Sequence, residues 1–222
     1  MKNVVKKKIK ALKNKCPLCG TVSHILIDVG RKYFICRGCS GIFCDPQSYV
    51  CPEDEKKRYE QHNNDVFDAG YRSFVKPVTD RIADAFRQTD RGLDFGSGTG
   101  PVIAAVLEEK GYNIEKYDPF FCDRPEVFRD SYDYISCCEV VEHFHDPYKE
   151  FGLLRTLLKK EGMLYVMTDL FTGSPDEDFK KWYYKDDPTH VFFYRDRTFN
   201  WIFEVFGFQK MERCGRVVVF KG

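Results

Sequence analysis

No apolar run in the 222-residue chain approaches the ~20 residues needed to span a bilayer. The N-terminus carries lysines but no apolar segment behind them, so it is not read as a secretory leader and the expected location is the cytoplasm. An excess of charge is also lacking: 35 basic residues face 34 acidic ones, for a net charge of +1. That balance argues against a broad nucleic-acid footprint, which needs a basic face. The exception is local, because the first fifteen residues hold seven lysines. Residues 1–14 are read as a basic tail, solvated in preference to bound to RNA. What is present in quantity is aromatic: 20 Phe and 13 Tyr within a hydrophobic content of 43%. This suits a packed core with an apolar pocket. The length suits one standard domain and a small module.

The most informative stretch is RGLDFGSGTGP, Arg91 to Pro101. A short apolar run ends at Asp94, and Gly96, Gly98 and Gly100 follow at alternate positions. Val102, Ile103, Val106 and Leu107 then repeat with the period of an amphipathic helix, and Pro101 suits its first position. Strand, glycine turn and helix follow one another. Such a turn presents N–H groups and a helix N-terminus at the carboxyl end of a strand. A dinucleotide fingerprint wants its third glycine at position 101, which is Pro101 here. A nucleoside cofactor without a pyrophosphate fits better. The next strand, NIEKYD, closes on Asp118, whose carboxylate can accept both ribose hydroxyls.

LDFGSGTG, then YDP, then CCEVVEH resembles the class I S-adenosylmethionine-dependent methyltransferases, nearest the small-molecule group that includes the ubiquinone-type O-methyltransferases. The resemblance runs from about Phe74 to the C-terminus. It implies an α/β, Rossmann-like, mostly parallel sheet with an antiparallel C-terminal hairpin. It also implies S-adenosylmethionine held by Asp94, Gly96, Ser97, Gly98, Gly100, Asp118, Pro119, Phe120 and Glu139, with Tyr71 and Arg72 near the methionine carboxylate. Only thirteen residues separate Asp118 from Tyr132, so the family's third strand is expected to be short or lost. Phe120 and Phe121 are then expected to stack on the adenine.

Cys16-x2-Cys19 and Cys36-x2-Cys39 are separated by sixteen residues, a zinc-ribbon spacing. In a chain read as cytosolic, metal or free thiols are favoured over disulfides for its ten cysteines. These four are the predicted ligands of a structural Zn²⁺, with iron in the same geometry left open. Cys44 and Cys51 are read as spare. HILIDVGRKYFI between the knuckles predicts a hairpin turning near Gly30. The predicted organisation is a ribbon over 15–50, a helical linker over 51–75 and a methyltransferase domain over 76–222. In the linker, Tyr59, Phe67, Tyr71 and Phe74 are placed at the pocket rim.

Methyl transfer to a hydroxyl needs a base, and histidine suits neutral pH. His190, in WYYKDDPTHVFFY, is read as base or acceptor-orienting group, with Trp182, Tyr183 and Tyr184 as pocket wall. His143 is the second candidate. Glu139, Glu142 and His143 form an E-x-x-E-H pattern that the family links to a divalent cation. The expected function is methylation of a small-molecule acceptor at O, N or C. The alternatives are an rRNA or tRNA methyltransferase using ribbon and tail, and a non-enzymatic binding or scaffold protein.

Overall fold

The computed structural model describes residues 13–61 and 65–222. Most of the lysine-rich tail, and His62, lie outside the described residues. Residues 13 and 14 belong to no tail: Lys13–Lys15 form strand β1, paired antiparallel to β2 (Val22–Asp28). β2 turns through Gly30, whose φ is +92°, into β3 (Lys32–Ile35), which pairs with β4 (Ile42–Cys44).

The expected linker is two helices. α1 spans Pro52–Glu60, and α2 spans Ala69–Ala85, capped by Asp68 accepting from the Tyr71 amide. α2 runs through the expected boundary at residue 75, because Val75, Val78, Thr79 and Ile82 form one continuous buried stripe. Phe67 does not reach the pocket; it is 78% exposed.

The second sheet contains β5 (Arg91–Phe95), β6 (Asn113–Tyr117), β7 (Tyr132–Cys138), β8 (Leu158–Met167), β10 (Lys210–Cys214) and β11 (Val217–Lys221). Its order is β10-β11-β8-β7-β5-β6. β6, β5, β7 and β8 run parallel, and β11 and β10 add the antiparallel hairpin. Helices α3 (Val102–Glu109), α4 (Pro147–Leu157) and α5 (Asp196–Val205) complete this α/β, Rossmann-like unit. Pro101 is the N-cap of α3, one position before the helix proper. No described strand lies beyond β6. A bridge between Asp118 and Cys122 and a 3-10 turn at Pro125–Arg129 fill the short segment instead.

The ribbon sheet does not stand apart. Its fifth strand, β9 (Phe192–Phe193), comes from the loop after β8 and pairs Ile42 with Phe193 and Phe43 with Phe192. One core cluster accordingly holds Cys16, Phe34, Cys39 and Phe43 together with Phe192, Tyr194, Phe151 and Phe199. Among the described residues, no helix is long and apolar enough to cross a membrane.

Candidate active site

The glycine turn is built as its sequence requires. Gly96 and Gly98 have φ of +76° and +65°, which side chains disfavour. A Cβ on Gly96 would lie 2.4 Å from Val140 Cγ2. The Gly96 and Ser97 amides donate to the Tyr117 carbonyl at 2.8 and 3.1 Å. The Gly98 amide donates to Asp118 Oδ2 at 3.0 Å, while Asp118 Oδ1 accepts from the amides of Phe120 (2.8 Å) and Phe121 (3.1 Å). Asp118 thus ties the glycine turn to the loop that replaces a third strand. Asp94 is buried beneath the turn, accepts from Ser136 Oγ at 2.8 Å, and is pushed up to about 6 by its burial.

The turn opens on a cavity of about 1230 Å³. Gly96, Ser97, Gly98, Asp118, Pro119, Phe120, Glu139, Tyr71, His143 and His190 all line it. Gly100 lies behind the turn, in a small recess with Asp94. Arg72 is not on the wall: its guanidinium pairs with Glu109 and donates to the Val66 carbonyl at 3.0 Å. It follows Tyr71 on the helix and therefore faces another way. Trp182 is also absent from the wall, packing on Phe171, Phe179 and Phe193, whereas Tyr183 and Tyr184 line it. Phe120 packs on Tyr59 at 5.8 Å between ring centroids.

Just past β7, the chain turns through Glu139, whose φ is +53°. The turn aims its carboxylate at Arg216 Nη2, which donates to both oxygens at 2.9 and 2.8 Å. Tyr184 Oη, 3.2 Å from Glu139, also makes a short hydrogen bond to Glu142 Oε1. Thr168 Oγ1 donates to the other Glu142 oxygen at 3.0 Å. Burial raises both carboxyls well above the usual carboxylate range, and the nearby Glu142 charge adds to the rise at Glu139. Sequence reading did not find Arg216 or Thr168. They arrive through the β11–β8 pairing, and nothing local to either residue signals that position.

The two histidines stand side by side, ring centroids 4.8 Å apart. His143 Nδ1 is 3.1 Å from the Thr189 carbonyl, and His190 Nδ1 is 2.6 Å from the Tyr184 carbonyl. A carbonyl only accepts, so each Nδ1 carries a proton. Glu142, His143 and His190 offer ligand atoms within 4.8 Å of one another, so this trio, without Glu139, has the donor chemistry for a divalent cation. Glu139 is taken up by Arg216 instead. Carboxylates dominate the lining: Glu55, Asp146, Glu150, Asp186 and Asp187 join those above, against Arg58 and Lys149. Arg58 is itself paired with Asp187 at 2.7 Å.

In the N-terminal sheet, the sulfurs of Cys16, Cys19, Cys36 and Cys39 all lie within 4.8 Å of one another. Cys16–Cys39 are 3.6 Å apart and Cys19–Cys36 3.2 Å. Four soft donors this close fit one tetrahedral metal ion. Cys44 is buried beside Arg31 Nη2 at 3.2 Å, and Cys51 is exposed; neither joins the cluster.

A family model described as a methyltransferase domain matches residues 67–212. Among solved structures, the chain is similar to a SAM-dependent methyltransferase from Archaeoglobus fulgidus at 19% identity and TM-score 0.52, over 68% of this chain and 94% of that one. It is similar to the 1,6-didemethyltoxoflavin-N1-methyltransferase of Burkholderia thailandensis, bound to 1,6-didemethyltoxoflavin and S-adenosylhomocysteine, at 12% identity and TM-score 0.54, over 88% and 96%. An O-methyltransferase family protein from Burkholderia thailandensis follows at 14% and 0.53, over 76% and 62%. At these identities the likeness is one of fold. No curated protein matches the chain in sequence.

Proposed function

We propose that this chain, which belongs to the methyltransferase-domain family, transfers a methyl group from S-adenosylmethionine to a small-molecule acceptor at oxygen, nitrogen or carbon. One observation carries the reading: the glycine turn with Asp118 and the His143–His190 pair face the same cavity. When bound, the cofactor supplies a methyl group already activated by a positive sulfur. What this chain must add is alignment and, for a protonated acceptor, a base.

In this reading Asp118 would accept from the ribose hydroxyls and the rings of Phe120 and Phe121 would face the adenine; all three line the cavity. The N1-methyltransferase that binds S-adenosylhomocysteine in the same fold supports this cofactor. His190 is the proposed base, with His143 beside it, because both line the cavity and the Tyr184 carbonyl holds the His190 ring through Nδ1. The acidic lining counts against RNA as acceptor, since a phosphate backbone seeks cationic walls. Asp94, the glycine turn and Asp118 retain the parts that a decayed scaffold would have lost.

We assign a structural Zn²⁺ to Cys16, Cys19, Cys36 and Cys39, whose thiolates would hold it tetrahedrally and add folding free energy. Metal analysis should find about one equivalent per chain, and less than about half would remove the assignment. The activity test is calorimetry with S-adenosylhomocysteine, run beside a turnover screen of small-molecule acceptors with an RNA arm. Micromolar binding and turnover with a small molecule are expected. An empty glycine turn, or a nicotinamide dinucleotide bound there, would overturn the reading.

A further inference from the structure

The loop that carries His190 is held by the cysteine module. Arg31, at the turn between β2 and β3, donates from Nη1 to the Asp187 carbonyl at 3.1 Å and from Nη2 to the His190 carbonyl at 3.2 Å. Tyr33 Oη donates to the Lys185 carbonyl at 3.1 Å. The Cys44 amide donates to the Val191 carbonyl at 3.0 Å, and the Val191 amide passes the chain on to the Glu142 carbonyl at 2.9 Å.

The metal knuckle itself is one step away. The Cys36 amide donates to the Gly41 carbonyl at 2.9 Å, closing the second knuckle on Gly41. Phe192 lies directly against that glycine, so closely that a Cβ there would fall 2.4 Å from Phe192 Cζ. The four sulfurs lie within 4.8 Å of one another, so four thiolates could not stand side by side without a cation between them. A metal ion is therefore what would keep the knuckle in the shape that seats Phe192.

From this geometry we infer that the cysteine module is part of the acceptor site. Its metal keeps residues 185–193 folded against the end of the sheet, and Arg31 is the positioning residue that sets where His190 stands. The rigid guanidinium fork spans two carbonyls three residues apart, which an ammonium could reach only one at a time. The inference rests on the reading of the His190 cavity as the acceptor site. It separates the two halves of that site, because none of these contacts reaches the glycine turn or Asp118. Loss of the metal or of Arg31 should release the acceptor wall and leave the cofactor wall in place.

The test is hydrogen exchange by mass spectrometry on the full chain, with S-adenosylhomocysteine calorimetry in parallel. In metal-loaded Arg31→Met, amides of 187–193 should exchange about tenfold faster, while S-adenosylhomocysteine affinity stays within about twofold of wild type. Arg31→Lys should recover part of the protection. Chelation of the wild type with 1,10-phenanthroline should expose the same segment and spare residues 91–118. Unchanged exchange at 187–193 in both Arg31→Met and the chelated protein would overturn the inference. So would equal deprotection of 91–118, which would mean that module and metal merely support the whole fold. Failure of wild type to bind S-adenosylhomocysteine would count against methyl transfer, whereas the exchange comparison decides the coupling on its own.

Discussion

At the scale of the residue, Asp118 acts on three backbone amides at once, those of Gly98, Phe120 and Phe121. Its carboxylate therefore shapes the turn before any ribose arrives. Asp118→Ala is expected to weaken S-adenosylhomocysteine binding by about 1–3 kcal/mol in calorimetry, through lost charge-assisted hydrogen bonds and a slackened turn. An affinity equal to wild type would remove Asp118 from the cofactor site. Glu142 is a different case, since it is wholly buried and bonded to two hydroxyls. Burial raises its carboxyl from 4.5 to about 7. Between those values the native state holds a proton that the unfolded chain has lost. Its contribution to stability is therefore complete below about pH 4.5 and is lost as pH rises through about 7. Glu142→Gln cannot titrate. Its urea midpoint should fall less than that of wild type between pH 5.5 and 8, the gap corresponding to roughly 1–3 kcal/mol. Parallel slopes would show that Glu142 does not titrate in that window. The glycine turn and the two cysteine knuckles were legible because each is a short motif of fixed spacing, and Asp118 because it ends the strand that follows the turn. Arg72 misled because chain proximity to Tyr71 says nothing of which side of a helix a residue faces, and it went to Glu109.

At the scale of the element, the shortest strand has the widest consequences. β9 has two residues, yet it closes the ribbon sheet against β4 some 150 positions away in sequence. Phe192-Phe193 reads locally as part of an aromatic loop, and a two-residue strand has no period to detect. The missing third strand was legible by simple length, because thirteen residues cannot hold a helix and a strand. The boundary at residue 75 was not, because the charged linker hid that the helix carrying Val75, Val78 and Ile82 already begins at Ala69. Phe192 is fully buried between Gly41, Phe43 and Tyr194. Phe192→Ala should cost about 3–5 kcal/mol in chemical denaturation, as for other buried phenylalanines. A loss below about 1 kcal/mol would mean that the β4–β9 seam contributes little to the fold.

At the scale of the whole molecule, the question is whether the ribbon and the α/β unit melt together. Two independent domains joined by a linker would unfold in two steps. Here a single core cluster runs from Cys16, Leu18 and Phe34 through Phe43 and Phe192 to Tyr194, Phe151 and the sheet strands. Arg58 of α1 also reaches across to Asp187, and Arg31 to the same loop. Exposing either half would strand apolar surface of the other, so neither half melts alone, while the 185–193 loop can still open locally. Differential scanning calorimetry of the metal-loaded protein should therefore give one transition. Removing the proposed metal should take folding free energy from that same transition. For a chain of this size, each kcal/mol shifts Tm by about 2–4 °C, so a loss of about 3 kcal/mol would lower it by roughly 6–12 °C. The signature is one peak that moves as a whole on chelation. Two peaks in the loaded protein, with only the lower one responding to chelator, would show that the shared aromatic seam does not couple the halves.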